Sequence, residues 1–361
     1  MVKIKVLKYH EFVSSLCFDR NCIINVGNTN NFRKNQIGYL YHFDHFYKFV
    51  FPILNMSAVK KEVVWICGGD GLVGNYLVHS SDDYQWVILT RTLSKTKQDK
   101  NKYFYWQPKE SYIEKDIPMP DHIINLAGAG IADQRWTNKR KKMLVESRVQ
   151  SANTIKAYIK RCNFRPKTYI SASAIGYYGD RQDEVLNENS KDGDGFLSEC
   201  CIEWENAAHS AGALCERTVI LRIGVVLSQN GGALPKLLMT RGFGLFMYFG
   251  SGNQYFSWIH IDDLVRVIFS AIQDEQMFGV YNAVSPQPIT AKEMMRDIKQ
   301  VNQWFGILMP FPSFLIKIVV GEMSHIFLDS TRVLPKRLEK DANFKFQYDR
   351  VGNAVADLYK V

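Results

Sequence analysis

From residue 63 onward, short and mainly apolar runs recur along the chain: Val63–Cys67, Trp86–Thr90, His122–Leu126, Thr168–Ala172 and Thr218–Ile223. Little alternation with polar residues interrupts them, which is the pattern of strands buried on both faces of a parallel sheet. The segments between them mix polar and apolar residues at helical spacing. A helix is predicted just after the first run, at residues 75–79, and a crossover helix over Thr137–Lys160, where Met143, Leu144, Ile155 and Ile159 supply the apolar positions. Another is predicted over Leu264–Ile272. Strands alternating with helices predict a doubly wound α/β fold. The most apolar late stretch, Phe314–Leu328, is interrupted by Lys317 and Glu322 and reads as a buried or amphipathic helix. No stretch reaches the roughly 18–20 uncharged apolar residues of a membrane span.

Residues 1–55 carry neither periodicity and are crowded with Phe, Tyr, Asn and His, as in the segment Tyr39–Tyr47. The texture changes at Met56, which leads directly into the first apolar run. The expectation is that Met56 is the native start and that 1–55 is an unassigned extension arising from a start-site artefact. A targeting or membrane-contact extension is the alternative, although the segment lacks the Arg- and Ser-rich, acid-poor character of a transit peptide.

At 361 residues, 46% hydrophobic and 22% charged, the chain has room for two domains or one large α/β unit. The net charge is +9, of which residues 1–55 carry +4. The longest basic run in the remainder, Lys139–Lys142, falls on the predicted crossover helix, so no nucleic-acid partner is expected. Seven cysteines include no Cys-x-x-Cys pair and their number is odd, which fits a reduced, cytoplasmic compartment. The eight histidines are scattered and no His-Glu-x-x-His occurs, so no metal site is predicted. No membrane partner is expected, and the protein is read as a monomer or homodimer acting on a small molecule.

The loop after the first run reads Gly68-Gly-Asp-Gly71-Leu72-Val73-Gly74 and opens a helix. In a Gly-x-x-Gly-x-x-Gly turn between strand and helix, the glycines allow a tight turn, close approach to a pyrophosphate and close helix packing. The helix start then offers unpaired N–H groups to the phosphates. Asp70 is unfavourable beside a pyrophosphate unless it turns away, for instance to cap the helix. The second run ends in Thr90-Arg91-Thr92, with an arginine and no acid, which favours the 2′-phosphate of NADP(H) unless Arg91 is only a surface residue. The third run ends in Leu126-Ala127-Gly128, whose small residues leave space for a ligand at a strand's carboxyl end. Arg148 on the crossover helix either points back to the phosphates or is solvated. The cofactor-binding set is therefore Gly68, Gly71, Leu72, Val73, Gly74, Thr90, Arg91, Leu126, Ala127, Gly128 and Arg148 within a Rossmann-type sheet.

The next strand continues as Ser171-Ala-Ser173-Ala-Ile-Gly-Tyr177-Tyr178-Gly179. With the glycine loop and Asn125–Gly128, it resembles the extended short-chain dehydrogenase/reductase superfamily of nucleotide-sugar epimerases and dehydratases. The closer resemblance is to the YfcH-type epimerase-family branch. It is carried by Phe196–Glu205, Leu221–Leu227, Gly250–Asp263, Gly321–Met323 and Arg332–Leu338, in order from about Val63 to the C-terminus. The branch usually shows Gly where this chain has Asn343, and Asn tolerates the left-handed backbone required there.

The resemblance implies a serine that orients substrate, at Ser173 or less favourably Ser171, and a Tyr-x-x-x-Lys pair on the following helix. That pair is missing: neither Phe196 with Cys200 nor Leu197 with Cys201 replaces it, and the lone match, Tyr105 with Lys109, spans Pro108. Tyr177, or else Tyr178 or Glu199, is the substitute acid/base, and Arg222 lies near the cofactor. His260 reads mainly as oriented by Asp262 and Asp263, which cap the next helix. Trp204 and Glu205 read as packing and structural hydrogen bonding. Two functions remain open: an NADP(H)-dependent oxidoreductase or epimerase-like enzyme on a small carbonyl or sugar-like substrate, or a catalytically silent NADP(H)-binding sensor or scaffold. The expected organisation is a Rossmann domain over 56–227, to which 253–284 returns. A smaller C-terminal α+β substrate-binding lobe comprises 228–252 and 285–361.

Overall fold

The computed structural model describes residues 60–99, 102–301 and 304–359; segment 1–55 and the expected start at Met56 lie outside the described residues. In chain order the first half gives β1 (Val63–Cys67), α1 (Leu72–His79), β2 (Gln85–Thr90), α2 (Leu93–Gln98), β3 (Tyr103–Gln107) and β4 (Tyr112–Ile113). It continues with β5 (His122–Asn125), α3 (Asn138–Cys162), β6 (Thr168–Ala174), β7 (Val185–Leu186), α4 (Phe196–Gly212) and β8 (Arg217–Ile223). Eight strands form one sheet in the order β14-β8-β6-β5-β1-β2-β3-β4, where β14 spans Gly279–Ala283. Every neighbouring pair is parallel except β3 with β4. The strand order reverses between β1 and β5, so the crevice for a ligand opens at their carboxyl ends.

The apolar runs become these strands because both faces are covered. Val63, Trp65 and Cys67 pack with Ala152 and Ile155 of α3 and Ala208 and Ala211 of α4. Val64 and Ile66 face the other way, onto Leu77 of α1 and Leu264 and Ile268 of α6, the helix Ile261–Gln273. Full burial of each large side chain contributes about 1.5–3 kcal/mol. The crossover helix α3 starts where Thr137 Oγ1 accepts the Arg140 amide at 3.1 Å and ends at Asn163, whose φ of +49° is left-handed.

Beyond β8 the chain adds β9 (Val225–Ser228), β10 (Gly231–Gly232), α5 (Leu234–Leu237), β11 (Leu245–Phe249), β12 (Tyr255–Phe256) and β13 (Trp258–His260). After α6 and β14 come β15 (Ile289–Thr290), α7 (Ala291–Val301), β16 (Ile307–Phe311), α8 (Ser313–Val320) and α9 (His325–Leu328). The chain closes with β17 (Arg332–Val333), α10 (Lys336–Lys340) and α11 (Val351–Tyr359). Small sheets pair β9 with β10 and β13, β11 with β16, β12 with β15 and β7 with β17. A second core gathers Leu227, Phe246, Trp258, Met294, Ile298, Val351 and Val355. Among the described residues no helix is long and apolar enough to cross a membrane.

Two sequence expectations change here. The stretch Phe314–Leu328 is not one helix, because Gly321, at φ +63°, stops α8 before α9 begins. Nor is α8 buried, since Phe314, Ile318 and Val319 are exposed. The start of α6 is capped by His260 itself, whose Nδ1 accepts the Asp262 amide at 3.1 Å. The neutral ring then carries its hydrogen on Nε2, which leaves no lone pair there for a metal, although Asp262 and Asp357 stand close by.

The fully buried Asp263 carboxylate accepts the amides of Gln347 and Tyr348, each at 2.9 Å, and Arg266 Nη1 at 2.7 Å. It thereby pins the segment that leads to α11. In Asp263→Asn one acceptor oxygen becomes an N–H donor facing an amide, so urea unfolding should show a loss of about 1–3 kcal/mol.

Candidate functional site

At the β1 end of the crevice, Gly68 adopts φ +85° and a Cβ there would stand 2.9 Å from the Leu126 carbonyl oxygen. The loops after β1 and β5 therefore touch backbone to backbone. A Cβ on Gly74 would lie 2.4 Å from the Gly68 oxygen, so α1 packs against the loop as only glycine allows. Gly71 is the N-cap and no side chain caps α1, which leaves the Leu72 and Val73 amides available to an anion. On the β5 side, the buried Asn125 donates to Ser151 and Tyr169 and accepts the Ala127 amide.

Arg148 does not lie in solvent. Its buried guanidinium donates to the Leu144 and Ala129 carbonyls at 2.8 and 3.1 Å and sits 4.8 Å from the Trp204 ring centroid. A Cβ on Gly128 would come within 3.2 Å of it. Arg148 is thus the brace under the Ala127–Gly130 loop. Burial lowers its pKa from the ordinary arginine value.

Asp70 does not cap α1. It pairs with Lys95 Nζ at 2.5 Å and accepts the Thr90 hydroxyl at 3.2 Å, which turns its charge toward α2. Thr90 is buried, and its hydroxyl also accepts the Thr92 amide. Arg91 is exposed at the carboxyl end of β2.

Beneath the crevice lies a buried polar network. Glu205 of α4 receives Arg222 Nε and Nη2, each at 2.8 Å, and the Ser173 hydroxyl at 2.7 Å. Arg222 Nη1 donates to Tyr178 Oη at 3.0 Å, and Tyr178 donates to Asn282 at 2.7 Å. The Tyr177 ring covers the guanidinium at 3.4 Å. Burial opposes the Arg222 charge, but Glu205 and Tyr178 more than offset it and hold its pKa above the ordinary value. Burial pushes the Tyr178 phenol up to about 12.

Ser173 and Arg222 therefore face the protein rather than the adjoining cavity of about 280 Å³. That cavity starts with the next residues, Ala174–Gly176 and Gly224, and is closed by Leu197, Cys200, Cys201 and Trp204 of α4. Leu197 and Cys201 present an apolar pair with the four-residue spacing of the missing Tyr-x-x-x-Lys. Burial pushes the Cys201 thiol up to about 12 and also raises Cys200, so both keep their protons near neutrality. His325 and Asp329 line the same cavity. Sequence reading passed over them; their i,i+4 spacing was visible, but not the return of α9 to the sheet. Glu199 is exposed and does not line the cavity.

Comparison with known proteins agrees with this architecture. Residues 64–283 match the model of the NAD dependent epimerase/dehydratase family, and residues 311–358 match a domain of unknown function, DUF1731. An epimerase family protein of Mycobacterium leprae is 31% identical over 83% of this chain and 96% of its own length. The chloroplastic SDR39U1 homolog of Arabidopsis thaliana is 34% identical over 84% of this chain and 89% of its own. Among solved structures, the human epimerase family protein SDR39U1 (isoform 2) with NADPH superposes with a TM-score of 0.75. It is 26% identical and covers 82% of this chain and 99% of the human one.

Removing one partner of the buried network strands the other. Glu205→Gln should lower stability by about 3–5 kcal/mol in urea unfolding, and the double variant Glu205→Gln/Arg222→Met should recover part of that loss.

Proposed function

Because the chain belongs to the NAD dependent epimerase/dehydratase family, we propose that it binds NADP(H) in the β1–β5 crevice and interconverts a small carbonyl compound and its alcohol in the adjoining cavity. The observation that carries this reading is the glycine-built crevice: Gly68, Gly74 and Gly128 let the loop after β1 pack directly on the Leu126 backbone, on the start of α1 and, through the loop after β5, on Arg148, while the Leu72 and Val73 amides lack a side-chain cap. These residues fit a dinucleotide pyrophosphate. Thr90 holds Asp70 aside, Leu126 and Ala127 form the opposite wall, and Arg91 stands where a 2′-phosphate is read. NADPH, when bound, supplies the reducing equivalent.

The chain's own residues then have distinct tasks in this reading. Arg148 keeps the Ala127–Gly130 loop in place. Ser173, Tyr177 and Arg222 hold the strand ends from beneath and act as positioning residues. The cavity supplies a mostly apolar environment whose cation, Arg148, is already engaged, which favours an uncharged substrate over a nucleotide diphosphate sugar. The five described cysteines are unpaired thiols, which supports a reducing, cytoplasmic setting. A second reading, a silent NADP(H)-binding sensor or scaffold, is favoured by the apolar Leu197–Cys201 face.

Titration of the full chain by nicotinamide fluorescence tests the cofactor assignment. NADPH should bind more tightly than NADH, and Arg91→Ala should weaken NADPH about 10- to 100-fold, toward the NADH value. Equal binding of both cofactors to the wild type would remove the 2′-phosphate assignment. Consumption of bound NADPH with a carbonyl panel supports the enzyme, and retention without consumption supports the sensor.

A further inference from the structure

We propose that His325, oriented by Asp329, gives the proton to the substrate's oxygen, in the place of the missing tyrosine–lysine pair; the inference rests on the reductase reading above. Both residues line the cavity together with Gly176 and Cys201. They lie four residues apart, and His325 Nδ1 stands 2.8 Å from Asp329 Oδ1. The Asp329 side chain is largely buried while that of His325 is mostly exposed. A carboxylate on Nδ1 keeps the hydrogen there and fixes the ring, leaving Nε2 to exchange a proton.

Ser173 and Tyr178, beside the cavity, are committed elsewhere, whereas Tyr255 and Thr331 share its wall with His325. Ser173 donates to Glu205, and Tyr178 donates to Asn282 while accepting from Arg222. Tyr177 covers the Arg222 guanidinium with its ring and does not line the cavity. The thiols of Cys200 and Cys201 are buried, which keeps them protonated, and Cys201 Sγ donates to the Ala174 carbonyl at 3.7 Å. His325 alone among these combines a place on the cavity wall, a fixed tautomer and an edge open to water.

In the reduction, the C=O π bond breaks and the carbonyl carbon gains hydrogen with its electron pair from the dihydronicotinamide, which is thereby oxidised. The carbonyl oxygen gains the proton of His325 Nε2–H. The neutral imidazole regains a proton from water at its exposed edge. Asp329 keeps its charge throughout and acts as a positioning residue.

The test uses the full chain with NADPH and 4-nitrobenzaldehyde as an uncharged, apolar carbonyl probe. His325→Ala should lower kcat about 100-fold or more while NADPH affinity by fluorescence stays within about twofold. Added imidazole should restore kcat of this variant by about tenfold or more, which a structural role would not allow. Asp329→Asn should lower kcat with KM unchanged. A readout independent of turnover is diethylpyrocarbonate modification: mass spectrometry should find a carbethoxyl adduct on His325 that 4-nitrobenzyl alcohol suppresses. Retention of kcat in His325→Ala, absence of imidazole rescue, or an unprotected His325 overturns the assignment. So does a wild type that binds NADPH but never consumes it, which leaves the cofactor reading standing. Failure to bind NADPH at all overturns that reading, and this one with it.

Discussion

The buried ion pair between Glu205 and Arg222 ties α4 to β8 directly beneath the cavity, and the shape of the site depends on that tie. Two charges taken out of water each carry a desolvation penalty of several kcal/mol, repaid only when nearly every donor and acceptor is used. Here both carboxylate oxygens receive guanidinium hydrogens, Ser173 adds a third donor, and Tyr178 takes Nη1. Asn282 extends the chain of bonds to β14 and, through the Leu334 carbonyl, to the segment after β17. The polar groups that the sequence marks as reactive are consumed in holding the strand ends together. The cavity above is consequently walled by the small and apolar residues that flank them.

A second constraint separates the crevice from the cavity. In the crevice the exposed donors are backbone amides at the uncapped start of α1, the kind of group that suits a phosphate. Arg148 contributes there indirectly, with one hydrogen bond to Ala129 in the loop after β5, one to Leu144 of its own helix and a contact with the Trp204 ring. The cavity beside it has a thiol and leucine wall, in which ionised groups are penalised and the cysteines stay protonated. Anion-binding backbone next to an apolar wall suits a charged cofactor alongside an uncharged reactant. The His325–Asp329 pair stands on the cavity wall, with Asp329 half-buried and His325 exposed.

Periodicity and spacing carried far in this chain. The five apolar runs became the five central parallel strands, because doubly covered strands have no polar alternate to hide them. The glycine loop was legible because the required backbone geometry restricts the residue type, as the φ of +85° at Gly68 shows. Asn343 likewise takes the left-handed conformation expected of it, at φ +46°. The helix over Phe314–Leu328 was misread, since a single Gly321 turn outweighed the apolar composition on both sides. His260 was expected to be oriented by acids, yet it caps α6 itself while Asp263 turns to amides more than eighty residues away.

The amino-acid sequence by itself thus determined the Rossmann-type sheet, the glycine-rich turn after β1 and the absence of a tyrosine–lysine pair on α4, all of which rest on local residue type and spacing. Only the tertiary structure decided the partners of Asp70, Arg148, Ser173 and Arg222, because hydrogen bonds such as those of Arg222 to Glu205 and Tyr178, 17 and 44 positions apart, depend on how helices dock on the sheet. The return of α9 to the cavity rim is of the same kind. No local pattern announces that His325 and Asp329 come to lie beside Gly176 and Cys201; packing of the whole chain puts them there.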